Sequence, residues 1–488
     1  MENSMAEYRQ SRRRDSFVPV DSHSRRGRFI YYVATIWVFF FQKAQCGRRL
    51  AGIVLVFLHL TFFTGYLCHV LRNTTRTKRL DGICPGYSLE NCPAISEGLQ
   101  CSACVRLPRG NMVHFSSDFE CGNSKNFRKI GKDRYRCEVV GDKKIYCYYF
   151  CFDVHNEGPA TEVSIEVWHD PLVNDVSGFI SHFPSTIWVA PQEWNRYRPL
   201  DQTCVEVHKE HLVIHLSLEA NKTLRVTDNW PSPYSDTCAF LKKLAGERQD
   251  RCCLFTIGKS VQGREIIGLR AGTPGAPRML CIAGQHPIEF PGVWAMRAIA
   301  DYISSAIGEV QILREKMLIE VIPLVNPDGT VLGRNAFTSE NFDMYVAFGS
   351  KPNAQEPEAA ESKLLWRWIT EKDTALWMNV HCYLGWRNNS EPPFDGWYEV
   401  PRGLFSDSKR KHTYEALCDT MRLETDSPST TMEPDIHTEN TLEYQIAKRY
   451  GIPSVFYEIN GGTAGAFQSG KRGLRVFRNA VKTFLDLI

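Results

Sequence analysis

The feature that most constrains the fold of this chain is a regular alternation of apolar, strand-like runs and amphipathic segments from about residue 250 onward. Buried strands are predicted at four apolar runs: Arg278–Gly284, Met317–Pro323, Ala375–His381 and Ser454–Ile459. Helices are predicted at four further segments: Pro291–Ala306, Glu356–Thr370, Thr441–Tyr450 and Arg472–Leu487. Because strands that alternate with helices form a sheet covered on both faces, residues 233–488 are predicted to be an α/β domain.

Four polar side chains stand at the ends of these predicted strands. His286 and Glu289 lie three residues apart in the turn after the first strand, and His381 ends the third strand. Ligands bind such sheets beyond the carboxyl ends of the strands, and two histidines with one carboxylate are typical of an open, catalytic zinc site. Glu458 lies near the end of the last strand, where a carboxylate could take a proton from water. The pattern therefore predicts a zinc-dependent hydrolase.

Four short motifs, taken together, resemble the zinc metallocarboxypeptidases, in particular their cytosolic-carboxypeptidase-like branch. The motifs are HPIE at 286–289, NPDGTVLGR at 326–334, NVH at 379–381 and YEIN at 457–460. The resemblance implies a carboxypeptidase A-like, doubly wound mixed sheet that follows a β domain, and amide hydrolysis with one zinc ion per chain. It also implies the roles of individual residues, with His286, Glu289 and His381 as zinc ligands, Glu458 as the base and Arg334 as the oxyanion group.

One part of the family pattern is missing from this chain. Family members carry an Asn-Arg pair, which binds the free carboxylate of the substrate's last residue, where this chain has Tyr345 and Val346. A valine cannot make the bidentate contact that a carboxylate prefers, so Arg334, Arg387 and Lys471 are alternative carboxylate ligands. Tyr444 is a candidate for the flexible tyrosine that family members fold over the substrate.

Three functions therefore remain open. The first is hydrolysis of a peptide or amide bond. The second is N-deacylation or ester hydrolysis of a non-peptide substrate, which the valine at position 346 favours. The third is a catalytically inactive, carboxypeptidase-like binding protein, which is disfavoured because all four zinc and base residues are present.

The N-terminal residues predict attachment to a membrane. Residues 1–28 are a basic tail, and residues 29–71 are the predicted anchor. Within the anchor, the 21 residues of 51–71 contain no Asp, Glu, Lys or Arg and are long enough to span a bilayer. Residues 29–41 are too short to span alone, so they either lie in the interface or form a hairpin with 51–71. Glycosylation sequons at Asn73, Asn221 and Asn388 favour a single-pass type II protein with a luminal or extracellular catalytic domain, and a cytosolic orientation stays open.

A cysteine-rich segment and a β domain are predicted between the anchor and the α/β domain. Eight of the 17 cysteines lie between Cys84 and Cys151, which predicts disulfides outside the cytosol. A second zinc site that uses Cys101 and Cys104 is the alternative. Residues 72–130 are therefore predicted to be a linker or small module. Residues 131–232 have short alternating runs separated by turn residues, which predict a small antiparallel, β-sandwich-like domain.

The overall charge limits the kinds of partner. The formal net charge is only +3, and part of it lies in the basic tail. Because nucleic-acid binders need a concentrated basic face, the sequence predicts no nucleic-acid partner. The predicted partners are a peptide or amide substrate and, through the N-terminal helix, a membrane.

Overall fold

The computed structural model describes residues 112–142, 146–172, 185–191, 197–383, 395–424 and 437–488. They belong to one compact unit that runs from Glu97 to Ile488. The predicted anchor and the sequons at Asn73 and Asn388 lie outside the described residues. Within the described part of the chain, no helix has the length and apolar character that crossing a bilayer requires.

The first half of the described chain is rich in β structure. Its strands are β1 (Val113–Ser116), β2 (Lys125–Gly131), β3 (Arg134–Glu138), β4 (Cys151–Asn156), β5 (Thr161–Trp168), β6 (Trp188–Pro191), β7 (Arg198–Pro199), β8 (Val205–Val207), β9 (His211–Leu218) and β10 (Lys222–Thr227). They form two sheets, in the orders β1-β4-β10-β6-β7 and β2-β3-β5-β9-β8. Alternate residues of both sheets, such as Val154 and Ile165, share one apolar core, as in a sandwich.

This β-rich half differs from the sequence expectation in two details. The sheets were expected to be antiparallel, but β3 and β5 pair in parallel. Strand β1 and all but the last residue of β2 also lie in the 72–130 segment, which was predicted to be a linker or small module. Strand β1 pairs with β4, and β2 pairs with β3. The register of these pairs depends on tertiary contacts, which a short run of sequence does not reveal.

The prediction of disulfides is wrong for the four described cysteines of the cluster. Cys121, Cys137, Cys147 and Cys151 are free thiols and are buried. They pack inside apolar clusters, where a thiol behaves as a small hydrophobic group. The other four cysteines, including Cys101 and Cys104, lie outside the described residues. Asn221, the one described sequon residue, is exposed at the turn between β9 and β10.

The second half of the described chain alternates helices with strands. Its strands are β11 (Cys253–Lys259), β12 (Glu265–Gly272), β13 (Arg278–Ala283), β14 (Leu318–Ile322), β15 (Thr374–Tyr383), β16 (Gly396–Tyr398) and β17 (Ser454–Asn460). Its helices are α1 (Tyr234–Glu247), α2 (Phe290–Ile303), α3 (Gly308–Lys316), α4 (Pro327–Val331), α5 (Ala360–Thr370), α6 (Ser408–Glu424), α7 (Leu442–Tyr450) and α8 (Ala466–Leu485).

These strands form one mixed sheet in the order β11-β12-β14-β13-β15-β17-β16. Its four central strands, β14, β13, β15 and β17, are parallel. Along β13, Cys281 faces the layer of α2 and α8, whereas its neighbour Leu280 faces the layer of α5 and α7. A strand buried on both faces reads as a continuous apolar run, which explains why the sequence signal was clear. The predicted doubly wound mixed sheet is confirmed.

Candidate metal centre

The carboxyl ends of β13 and β15 bring the predicted ligands to one edge of the sheet. His286 and Glu289 lie in the turn that joins β13 to α2, and His381 lies on β15. After this turn, α2 packs closely against β15. Gly292, in the first turn of α2, allows it, because a Cβ there would lie 2.3 Å from the backbone oxygen of Val380.

The three predicted ligands meet around Glu289. Nδ1 of His286 is 2.7 Å from Oε1 of Glu289, and Nδ1 of His381 is 2.7 Å from Oε2 of the same carboxylate. One donor atom from each residue can be chosen so that all three lie within 4.8 Å of one another. Side chains that are nearly a hundred residues apart in sequence therefore form a compact donor set of two imidazoles and one carboxylate.

The outward-facing nitrogen of each histidine contacts an oxygen atom. Nε2 of His286 lies 3.1 Å from Oδ1 of Asp343, and Nε2 of His381 lies 2.8 Å from Oε1 of Gln285. The orientation of the Gln285 amide is consistent with this, because its Nε2 donates to the Met344 backbone oxygen and its Oε1 accepts from Asn379. Such partners orient metal-binding histidines and set their tautomer.

This arrangement fits a divalent cation. A neutral imidazole has one N–H group, yet both nitrogens of His286 and of His381 face oxygen atoms that accept hydrogen bonds. Oε2 of Glu289 is close to His381 but lacks hydrogen-bond geometry toward it, so this buried oxygen has no donor among the described residues. A cation on the two Nδ1 atoms would satisfy both rings in their neutral form. The donor set and its outer partners are those of an open zinc site.

The electrostatics of the cluster agree with this conclusion. Burial alone would lower the pKa of His286, but the carboxylates of Glu289 and Asp343 together raise it well above its usual range. Burial would raise the pKa of Glu289, but the two histidines lower it to about 2. The pKa of Asp343 is lowered too, since His286 outweighs its burial. The site therefore holds its carboxylates ionised and attracts positive charge.

Glu458, the predicted base, lies directly beside the cluster. It is the register partner of His381 on the neighbouring strand β17, and adjacent strands are only about 4.8 Å apart. Residues directly opposite each other point to the same face of the sheet. Phe456 also lies on this face, two residues before Glu458, and its ring stacks on His381 at a centroid distance of 4.5 Å.

Two other predicted site residues have different surroundings. The guanidinium of Arg334 lies 3.6 Å from Asp142 of the β-rich half and bonds to Ser339 and Asn341 of its own loop. These contacts give it a structural role in joining the two halves. Tyr444 is half-buried on α7, and its ring faces the Lys448 ammonium at 5.5 Å. The catalytic and substrate roles of both residues stay predictions.

Tyr345 occupies the space beside the metal ligands. Its ring centroid lies 6.0 Å from that of His286 and 5.9 Å from that of His381. The ring of His437 lies 6.2 Å from that of Tyr345, and His437 is almost fully buried. Burial and the nearby His381 lower the pKa of His437 to about 3. The Tyr398 backbone acts in the opposite direction, although it makes no hydrogen bond of normal geometry with the His437 ring.

Sequence reasoning missed several of these neighbours. Asp343 stands two residues before Tyr345 and Gln285 directly precedes the HPIE motif, but their sequence positions alone predict no role for either residue. Asn379 could have been found from the period of two along β15, which places it on the same face as His381. His437 had no such signal, because it contacts the site only through the folding of a distant loop.

Comparison with known proteins shows a match to one family over part of the chain. Residues 237–383 match the family model described as zinc carboxypeptidase, and this segment contains His286, Glu289 and His381. The chain carries a zinc carboxypeptidase domain. The family that the sequence motifs resembled is thereby confirmed, and the family is zinc-dependent.

Curated relatives of this zinc carboxypeptidase domain include cytosolic carboxypeptidases. Cytosolic carboxypeptidase 2 of Danio rerio is 23% identical over 256 residues, which is 48% of this chain and 35% of that protein. Cytosolic carboxypeptidase 6 of Mus musculus is 27% identical over 412 residues, which is 78% of this chain and 74% of that protein. The chain thus spans about a third of the length of the first of these relatives.

Solved structures show the same fold. A metallo-carboxypeptidase from Burkholderia cenocepacia aligns with a TM-score of 0.63 at 13% identity, covering 77% of this chain and 100% of that one. A metallo-carboxypeptidase from Pseudomonas aeruginosa, in complex with (2-guanidinoethylmercapto)succinic acid, aligns with a TM-score of 0.62 at 17% identity, with the same coverage of both chains. Coverage of this size includes β-rich structure as well as the zinc carboxypeptidase domain.

Proposed function

We propose that this protein is a zinc-dependent hydrolase of amide bonds, with His286, Glu289 and His381 as the zinc ligands. The observation that supports this most strongly is the pair of histidines whose four ring nitrogens all face oxygen acceptors. A buried cluster of this kind is costly unless a cation occupies it. The match of the surrounding segment to zinc carboxypeptidases supports the same conclusion.

The reaction follows from the positions of the chain's own residues. A zinc ion held by the cluster supplies Lewis acidity toward a water molecule and a carbonyl oxygen. Glu458, beside His381 on β17, accepts a proton from the water as its oxygen bonds to the carbonyl carbon. When the carbon–nitrogen bond breaks, Glu458 returns this proton to the leaving nitrogen, so that a carboxylic acid and an amine are formed.

N-deacylation of a non-peptide amide is the second candidate function. Tyr345 and Val346 support it, because neither side chain carries a positive charge that would bind the C-terminal carboxylate of a peptide. The same zinc and base residues serve both functions. The two candidates differ only in the part of the substrate that lies beyond the scissile bond.

The test is to measure zinc content and hydrolysis for the purified full-length chain and for Glu458→Gln. The variant should bind zinc like the wild type but hydrolyse amides about 10²–10⁴-fold more slowly, because it lacks the base. Peptides with a free C-terminus, the same peptides as C-terminal amides, and N-acylated amines would separate the two candidates. A wild-type protein that binds no zinc, or a Glu458→Gln variant with full activity, would contradict the proposal.

Membrane attachment through residues 51–71 is a separate part of the proposal. It is supported by the 21-residue stretch without Asp, Glu, Lys or Arg. We propose the type II orientation, with the zinc carboxypeptidase domain on the luminal or extracellular side. Alkaline extraction of membranes, combined with protease protection of the C-terminal half, tests both the attachment and its orientation. Release of the protein by alkaline carbonate would contradict the anchor.

A further inference from the structure

A buried carboxyl group beside the metal centre has an unused oxygen. Glu443, on α7, is completely buried. Its Oε1 accepts hydrogen bonds from Asn379 Nδ2 at 2.6 Å and from Trp377 Nε1 at 3.4 Å. Its Oε2 has no hydrogen-bond partner within the described part of the chain. An unsatisfied oxygen of this kind costs about 1–3 kcal/mol, so it needs a functional explanation.

Two other residues near the metal centre also have buried polar atoms without a hydrogen-bond partner among the described residues. Oδ1 of Asn379 has no partner among the described residues, although the Asn379 amide bonds to Glu443 and to Gln285. Neither ring nitrogen of His437 has one in the described ranges, although its ring is 96% buried against Tyr345 and other aromatic side chains. Buried polar atoms without a partner among the described residues therefore occur at three residues close to the predicted metal ligands.

Several carboxyl groups lie near Tyr345. Burial contributes most to its raised pKa, and the carboxyl groups of Glu443 and Glu458 are the next largest causes. The carboxyl of Asp343 acts in the same direction. Burial also raises the pKa of Glu443. A substrate carboxylate would bring only further acceptors to the unpartnered oxygens of Glu443 and Asn379, whereas an N–H group could donate to them.

We propose that Glu443, Asn379 and His437 form a subsite that binds an N–H donor of the substrate, either a primary ammonium or a carboxamide. The proposal rests on the proposed amide hydrolysis and specifies its substrate class. Oε2 of Glu443 is the principal acceptor, and Oδ1 of Asn379, whose amide nitrogen bonds to the same carboxyl group, is a second one. Substrates that end in a free carboxylate at this position are excluded.

The test uses four N-acetyl amines that share one aliphatic chain and differ only at its far end. N-acetylcadaverine ends in an ammonium, N-acetylhexylamine in a methyl group, and the N-acetyl derivatives of aminohexanamide and aminohexanoate in a carboxamide and a carboxylate. The wild type should hydrolyse the ammonium or the carboxamide compound with a kcat/KM about 10-fold or more above the other two. Binding of the same compounds to the zinc-free chain, measured by calorimetry, should give the same ranking.

The variant Glu443→Gln should lose this discrimination in both measurements, because its side-chain NH₂ replaces the acceptor. Glu361→Gln is the matched control. Glu361 is also buried, with one oxygen that has no partner among the described residues, but its other oxygen accepts a hydrogen bond from the Val261 backbone instead of from Asn379 or Trp377. The control should keep the wild-type ranking, and thermal melting of both variants checks that they are folded.

The outcomes separate the subsite from the hydrolase proposal. Hydrolysis of all four compounds at similar rates, or a preference for the carboxylate compound, would overturn the subsite and leave the hydrolase proposal standing. Selective binding by the zinc-free chain without any hydrolysis would support the subsite and contradict the hydrolase proposal. If Glu443→Gln does not fold, the order in which the wild type prefers the four compounds tests the subsite by itself.

Discussion

Two buried carboxylates, Asp328 and Glu289, stand close to the same sheet edge but have opposite surroundings. Asp328 of the NPDG motif receives hydrogen bonds from Ser260 Oγ at 2.6 Å, from Arg264 Nη1 at 2.8 Å and from the Gln262 backbone at 2.8 Å. Glu289 receives no such set of donors. It faces Nδ1 of two histidines whose other nitrogens are already engaged with oxygens.

The difference shows how a carboxylate that stabilises the fold can be told from one that is proposed to bind a metal ion. At Asp328 the chain supplies donors to both carboxylate oxygens, so the group stabilises the loop without help. At Glu289 the chain supplies an arrangement that is complete only when a cation is added. Both residues belong to motifs that resemble one family, so only their partners distinguish the two roles.

The largest expected effect is at Glu289 itself. The substitution Glu289→Gln removes the carboxylate shared by both histidines, so the protein should lose bound zinc and hydrolysis should fall to background. Zinc per chain is measured by plasma emission spectrometry on dialysed protein. A Glu289→Gln variant that keeps a full complement of zinc would show that the cluster is not the metal site.

A smaller effect is expected at the outer partners of the two histidines. Asp343→Asn and Gln285→Ala should each weaken zinc binding about 10–100-fold, because they release the ring that each partner orients. Competition with a chromophoric chelator measures the affinity. Asp328→Asn serves as the control and should keep the affinity of the wild type. Equal losses in all three variants would mean that general destabilisation is the cause.

Asp328→Asn should instead lower the free energy of unfolding, by about 1–3 kcal/mol, since its donors lose a charged acceptor. Urea denaturation of the zinc-free protein measures this loss. An Asp328→Asn variant that unfolds at the same urea concentration as the wild type would show that these donors do not stabilise the loop.

The smallest expected effect is on the acid stability of the zinc-free protein. The folded state lowers the pKa of Glu289 from 4.5 to about 2, because the two histidines outweigh its burial. A lowered pKa contributes stability that is present above pH 4.5 and is lost as the pH falls toward 2. Unfolding followed across this range should show a shallower pH dependence for Glu289→Gln than for the wild type. An identical pH dependence of unfolding in the two proteins would mean that the histidines do not lower the pKa of Glu289.

Much of the α/β half could be predicted from the sequence. Strands such as β13 are buried on both faces, so each appears as an apolar run, and the polar residue that follows marks the end of the strand. That His286 and His381 meet at one site was likewise predictable, because their motifs stand at such ends. The β-rich half was less predictable, since the pairing of its short strands depends on distant segments and β3 pairs in parallel with β5.

The sequence by itself determined the order of strands and helices, the zinc carboxypeptidase motifs and the loss of the expected arginine at Val346. Local patterns carry this information, because periodicity and motif spacing depend on neighbouring residues. Only the tertiary structure decided that Asp343 and Gln285 hold the two histidines, that the four described cysteines of the cluster stay free, and that Glu443 lies beside Tyr345. These are contacts between distant segments, and the satisfaction of a buried polar group depends on which segments meet around it.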